Sequence, residues 1–308
     1  MKREWQIMDA TNPSAHPTMA SRAPLRVGRY ALAVRDLDRL IDFYRDSVGL
    51  AVLDRSAQGA RLGTDGVVLL ELEHRPVARP DDPAAAGLFH TAFLMPTRGD
   101  LAEWYLHSKR IGLNIARTGD HLVNEAIYYD DPEGNGCECY SDRPPETWIW
   151  DENGCEITTG KSVDLDALAR DALGDGSGWR TPAGLRIGHI NLRVGDTDAA
   201  EKFYSGTIGL DHTGRRDVNF TGRPGIITFM SSGHYHHHFA ANDFTSRGAR
   251  RRQADRAGLA WFAFEHDDSV DLNGLQLRLR AAGAPVVATG EGFETRDPWG
   301  TRVRFVAA

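Results

Sequence analysis

The chain has 308 residues, enough for two domains at about 150 residues each, and its 41% hydrophobic and 26% charged content is that of a soluble globular protein. Its 36 basic and 43 acidic side chains leave a formal net charge of −7 with no clustered excess of Lys and Arg, which argues against nucleic acid and acidic lipid surfaces as partners. The longest apolar candidate, Val67-Val68-Leu69-Leu70, ends at Glu71, far short of the roughly 18–20 residues of a membrane span, and three cysteines make no disulfide framework, so a reducing cytoplasm is the expected location.

Residues 1–22 mix charges, Pro and Ser without the apolar core of a signal peptide, and are expected to be a disordered extension. Residues 30–34 alternate as a strand does. Asp36 or Asp38 then caps a helix whose inner face carries Leu40, Phe43 and Tyr44, and Gly49 supplies its left-handed stop. Strands follow, including 67–73. GLFHTAF at 87–93 opens a second unit, which closes on DPEGNGCECY at 131–140, where Asp-Pro-x-Gly suits a tight turn between two strands. The link beyond holds Pro144-Pro145, a short helical stretch near 163–173 and the Gly-rich 174–178.

Residues 187–210 then repeat residues 27–50 at an offset of 160 without a gap, with nine of 24 positions identical, among them Gly28/Gly188, Phe43/Phe203, Tyr44/Tyr204 and Gly49/Gly209. GLAWFAF at 258–264 and DPWGTRVRFV at 297–306 repeat the second unit in the same way. Four strand-first units result, at 27–75, 88–140, 187–242 and 258–308. The expected division is an N-terminal domain at 23–143, a linker at 144–183 and a C-terminal domain at 184–308.

The repeated FY…GL ending and the DPxGN turn before an acidic strand resemble the vicinal oxygen chelate superfamily. GLFHTAFLMP and DHLVNEAIYYDDPEGNGCECYSDRPPETW resemble, more narrowly, type I extradiol dioxygenases of the bacterial catechol 2,3-dioxygenase group. The resemblance covers about 27–308. It implies an α+β fold of four βαβββ modules in two glyoxalase/extradiol-dioxygenase-like domains. It also implies an Fe(II) centre, with Mn(II) suited to the same ligands, built on two His and one carboxylate.

In this superfamily the ligands come from the first and last strands of units that face each other. The first-strand positions here hold Arg29, His90, His189 and Trp261; the last-strand positions of units two and four hold Glu138 and Arg304. Only units two and three supply a complete set, His90, Glu138 and His189. This departs from the usual extradiol pattern, in which both units of the C-terminal half supply the ligands. Either units two and three face each other, or another chain contributes a ligand. Alternation puts Cys137 and Cys139 opposite Glu138, so thiols in the core would aim the carboxylate into the cup, where a buried anion needs a cation.

The run His234-Tyr235-His236-His237-His238 is expected on the last strand of unit three, with His236 and His238 on one face and His237 on the other. The resemblance assigns an acid–base role to one histidine of this run; His237 fits it best, with His236 and His238 as substrate-binding neighbours, while a one-residue slip would choose His236 or His238 instead. The resemblance also assigns His121 as a hydrogen-bonding or acid–base residue and Tyr128 as a phenol donor. Trp148 and Trp150 are expected to cover the linker. The implied reaction is meta cleavage of a catechol with O₂ to a 2-hydroxymuconic semialdehyde-type product, in a homo-oligomer. A glyoxalase-like isomerase or lyase, a thiol transferase and a metal-free aromatic-binding resistance protein are the alternatives on the same scaffold.

Overall fold

Each module opens on a strand, turns into a helix and returns through a run of strands. The computed structural model describes residues 18–158 and 160–308. Module one comprises β1 (Leu25–Val34), α1 (Leu37–Ser47), β2 (Ala51–Ser56), β3 (Gly59–Thr64) and β4 (Val67–His74). Module two comprises β5 (Gly87–Leu94), α2 (Arg98–Arg110), β6 (Ile115–Asp120), β7 (Asn124–Asp130) and β8 (Gly136–Asp142). The link carries a two-stranded ribbon, β9 (Trp150–Asp151) and β10 (Gly154–Cys155), and α3 (Leu165–Ala169). Module three comprises β11 (Arg186–Arg193), α4 (Thr197–Glu201) continued by a wide helical turn over Lys202–Ile208, β12 (Asp211–Phe220), β13 (Arg223–Ser231) and β14 (Phe239–Asn242). Module four comprises β15 (Gly258–His266), α5 (Leu272–Ala281), β16 (Val287–Thr289), β17 (Gly292–Arg296) and β18 (Arg302–Ala307).

The helix expected near 163–173 is confined to α3, which is capped by Asp164 and anchored by a single buried side chain, Leu168. The extension expected over 1–22 lies mostly outside the described residues. Its last part differs from that expectation: Ala20–Arg22 form a 3₁₀ turn with Ala20 buried, because the Ala20 carbonyl accepts from His238 Nε2 at 3.0 Å.

The helix ends follow the sequence. The Asp36 carboxylate caps α1 by accepting from the Arg39 N–H, and Leu40, Ile41 and Tyr44 are buried. Gly49 at φ +90° lets the Leu50 N–H reach back to the Tyr44 carbonyl at 3.2 Å. Gly209 at φ +101° does the same for Leu210 and Tyr204 at 3.0 Å.

The strands form two eight-stranded sheets in the order β16-β17-β18-β15-β1-β4-β3-β2 and β12-β13-β14-β11-β5-β8-β7-β6. Module one therefore joins module four, and module two joins module three. The opening strands pair antiparallel at the centre, β1 with β15 and β5 with β11, while each module's closing strand lies parallel to its own opening strand. One core of buried side chains, including Tyr30, Phe93, Trp104, Phe239 and Phe264, draws on both sheets.

The two repeated motifs meet in that core. The Tyr44 hydroxyl of module one donates to Asp131 in the turn of module two at 3.0 Å, and Tyr204 of module three donates to Asp297 in the turn of module four at 3.1 Å. Each pair crosses from one sheet to the other. Cys137, Cys139 and Cys155 are free and buried. No described helix is long and apolar enough to cross a membrane.

Candidate metal centre

The centre of the second sheet brings β8, β5 and β11 side by side. Glu138 on β8 registers with Ala92 on β5, and β5 sets His90 opposite Asn191 and Ala92 opposite His189 on β11. The register of β11 against β5 slips between Ile187 and His189, at Gly188. This bulge re-aims the strand just before the histidine. Only glycine fits there, since a Cβ would lie 1.8 Å from the Tyr140 hydroxyl oxygen.

Three ligand-type atoms converge as a result. His90 Nε2 lies 3.0 Å from Glu138 Oε2, His189 Nε2 lies 3.2 Å from the same oxygen, and the two nitrogens are 3.3 Å apart. All three residues are buried, Glu138 to 1% exposure. Burial pushes His90 down to about 4, so its imidazole is neutral. Burial also opposes ionisation of Glu138, but His189 and His90 beside it more than reverse this and hold the carboxyl well below its usual range. Among the described residues Glu138 Oε1 and His189 Nδ1 have no hydrogen-bond partner. An isolated buried carboxylate is costly, and one oxygen of this one has nothing to accept from. Two nitrogens, a carboxylate and an orphaned oxygen on one dry face fit a divalent first-row metal. Among the described residues no other group of three His, Cys, Asp or Glu side chains converges in this way.

The equivalent positions of the first sheet are filled differently. Arg304 lies 3.8 Å over the Trp261 ring and pairs with Glu294 at 3.1 Å, while Arg29 pairs with Glu291. Arginine cations and a tryptophan stand where the second sheet carries ligands.

A cavity of about 500 Å³ opens on the triad. His121, Tyr128 and His237 line it together with His90, Glu138 and His189. The Thr158 carbonyl can only accept, so His121 donates to it through Nδ1 at 2.6 Å, and His121 Nε2 accepts from the Tyr128 hydroxyl at 2.7 Å. Burial lowers the His121 pKa and raises that of Tyr128, so both are neutral. His237 sits against His189, with ring centroids 4.2 Å apart.

The histidine run is not on a strand. Gly233 and His234 take positive φ of 68° and 61°, the chain loops, and β14 begins only at Phe239. Strand alternation therefore does not apply, and two residues expected at the substrate point elsewhere. His236 is fully buried with Nε2 2.8 Å from Asp142, and His238 bonds Ser231 at 2.8 Å and Ala20. Neither reaches the cavity. The two tryptophans pack on this loop rather than on the linker alone: Trp148 lies 4.9 Å from the His236 ring and Trp150 stacks on His234 at 4.1 Å.

Sequence reasoning missed much of the wall. Phe220 and Phe244 stack at 5.1 Å, and Phe89 meets them edge-on at 5.5 and 5.7 Å. The Arg117 guanidinium lies 3.4 Å over the Tyr128 ring. These residues come from separate strands and loops of modules two and three, and no spacing in the sequence marks them.

Known proteins similar to this chain share one superfamily. The model of the Glyoxalase/Bleomycin resistance protein/Dioxygenase superfamily matches residues 26–139 and 186–305. The chain is 35% identical over 286 residues to Catechol-2,3-dioxygenase of Bacillus subtilis (strain 168), covering 91% of this chain and 96% of that protein. It is 33% identical over 158 residues to Biphenyl-2,3-diol 1,2-dioxygenase 3 of Rhodococcus globerulus, covering 47% of this chain and 80% of that one. Glyoxalase I from Zea mays superposes with a TM-score of 0.56 at 18% identity over 94% of each chain, a likeness of fold.

Proposed function

The chain belongs to the Glyoxalase/Bleomycin resistance protein/Dioxygenase superfamily, and from that membership and the site's geometry we propose that it is an iron(II)-dependent extradiol dioxygenase of the catechol 2,3-dioxygenase type. The observation that carries the reading is the buried His90–Glu138–His189 set on the wall of an aromatic-lined cavity. His90, Glu138 and His189 would hold a ferrous ion, or Mn(II) in its place, which would supply the redox coupling between a diol and O₂. The identity to dioxygenases named for catechol and biphenyl-2,3-diol supports an aromatic diol as substrate.

The chain's own residues bind the ring and move protons. Phe89, Phe220 and Phe244 give an apolar surface for the ring and its substituent, and keep water from the triad. His237, unpartnered at Nε2 among the described residues and beside His189, accepts the phenolic proton so that the diol binds as a monoanion. The Tyr128–His121 pair is the second proton reservoir, on the other side of the cavity. Opening of the ring next to the diol gives a 2-hydroxymuconic semialdehyde-type product. We place this activity in the cytoplasm and in a homo-oligomer; the three free thiols are consistent with a reducing compartment.

The test is oxygen uptake by anaerobically iron-loaded protein given catechol and substituted catechols. Stoichiometric O₂ consumption with a yellow ring-cleaved product is expected. No uptake with any catechol by the iron-loaded wild type overturns the dioxygenase reading and leaves an isomerase or a binding protein on this scaffold.

A further inference from the structure

We propose that His236 and Asp142 are a positioning pair that fixes the tautomer of His237, so that His237 presents a bare Nε2 lone pair to the cavity and keeps its proton on Nδ1. The catalytic use of that lone pair rests on the dioxygenase reading; the tautomer does not.

A string of hydrogen bonds sets the direction. A carboxylate can only accept, and Asp142 accepts from the Tyr235 hydroxyl at 3.0 Å and from His236 Nε2 at 2.8 Å. With Tyr235 donating to Asp142, the Tyr140 hydroxyl donates to Tyr235 at 2.8 Å. Burial keeps the His236 ring neutral, so its single N–H is committed to Asp142 and its Nδ1 must accept. Nδ1 of His237 lies 2.7 Å away and is therefore the donor. The proton of His237 is then on Nδ1, and Nε2 is bare. That edge of the ring has no partner among the described residues, and the ring lines the cavity beside His189.

The surroundings hold the string in place. Trp148 packs edge-on against His236, and Tyr235 stacks at a tilt 4.0 Å from the same ring. The missing side chain of Gly188 leaves room for the Tyr140 hydroxyl. His238 takes no part, being engaged by Ser231 and Ala20.

With both rings neutral the pair has two settings. If Asp142 could not accept, His236 would be free to carry its proton on Nδ1 and donate it to His237 Nδ1. The His237 proton would then move to Nε2, and the cavity would face a donor in place of an acceptor. A side chain that never touches the cavity thus sets the polarity of the group that does. His236 and Asp142 act through His237 and are positioning residues.

The experiment reads the tautomer directly. In protein labelled with ¹⁵N-histidine, metal-free and again with zinc as a diamagnetic probe, the His237 signals are assigned by their loss in His237→Gln. The wild type is expected to show a protonated Nδ1 and an unprotonated Nε2. Asp142→Leu should move the proton to Nε2 and lower kcat by about 10-fold or more with KM changed less than about threefold. Asp142→Asn should keep both the tautomer and kcat within about threefold, since its amide oxygen still accepts from His236. A wild-type His237 protonated on Nε2, or an unchanged tautomer in a folded Asp142→Leu, overturns the proposal. Absence of oxygen uptake by the wild type would remove the dioxygenase reading, while the tautomer measurement would still decide this one.

Discussion

Glu138 is the side chain with the least choice of partner. One carboxylate oxygen lies between two imidazoles and the other has no donor among the described residues, on a strand whose neighbouring thiols face the core. Glu138→Ala is expected to empty the site, read as metal per chain after loading and gel filtration, with the circular dichroism spectrum unchanged. Full metal retention would show that the carboxylate is not a ligand. His237 works differently, since it touches the triad without joining it. His237→Phe should keep iron bound and slow turnover by about 10²-fold, the scale of a lost general base. An unchanged rate would move the role to His121. The ligand-type residues were legible because aligning the four modules leaves a first-strand His only in modules two and three; the last-strand Glu138 has a counterpart in Glu71 of module one, but that residue faces Arg29. Arg117, Phe220 and Phe244 were not legible. A phenylalanine at a strand end or in a loop looks the same whether it faces a substrate or a core, and only the fold brings these three to one wall.

The elements carry their own constraints. Asp297 caps its turn by accepting from the Trp299 and Thr301 N–H groups and takes the Tyr204 hydroxyl, and burial raises its pKa to about 6. A raised carboxyl favours the folded state while protonated. Its contribution is therefore fully present below the unfolded value near 4 and is lost as the pH rises through about 6. Asp297→Asn keeps an acceptor for the turn and cannot ionise. Denaturant unfolding of both proteins at pH 4.5 and 7.5 should show the wild type losing on the order of 2 kcal/mol more than the variant over that window. Equal losses would contradict the assignment. Gly188 is constrained by space: Gly188→Ala should lower the melting temperature and disturb the site, because the new Cβ meets the Tyr140 hydroxyl. The repeated Phe-Tyr and Asp-Pro-x-Gly motifs could be read as local signals, a helix end and a turn. Their joint use as Tyr44–Asp131 and Tyr204–Asp297 pairs between sheets could not, because it depends on which modules pack together. The histidine run shows the opposite case. Its composition marked it as unusual, but its placement on a strand failed where Gly233 and His234 turn the chain before the four-residue β14.

At the scale of the molecule, four related modules yield one candidate centre among the described residues because their pairing does not follow the order of the chain. Module two completes its sheet with module three, so ligand-type residues from both halves of the sequence share a wall. Modules one and four form an equivalent sheet whose corresponding positions hold Arg29, Trp261 and Arg304, tied up by Glu291 and Glu294. A single centre per chain, complete within that chain, is thus expected. Anomalous diffraction at the iron edge from crystals of the iron-loaded protein tests it directly. One peak per chain is predicted, about 2.0–2.4 Å from His90 Nε2, His189 Nε2 and a Glu138 oxygen, with none beside Arg29, Trp261 and Arg304. A peak at the first sheet, or one that takes a ligand from a second chain in place of any of the three, would contradict it.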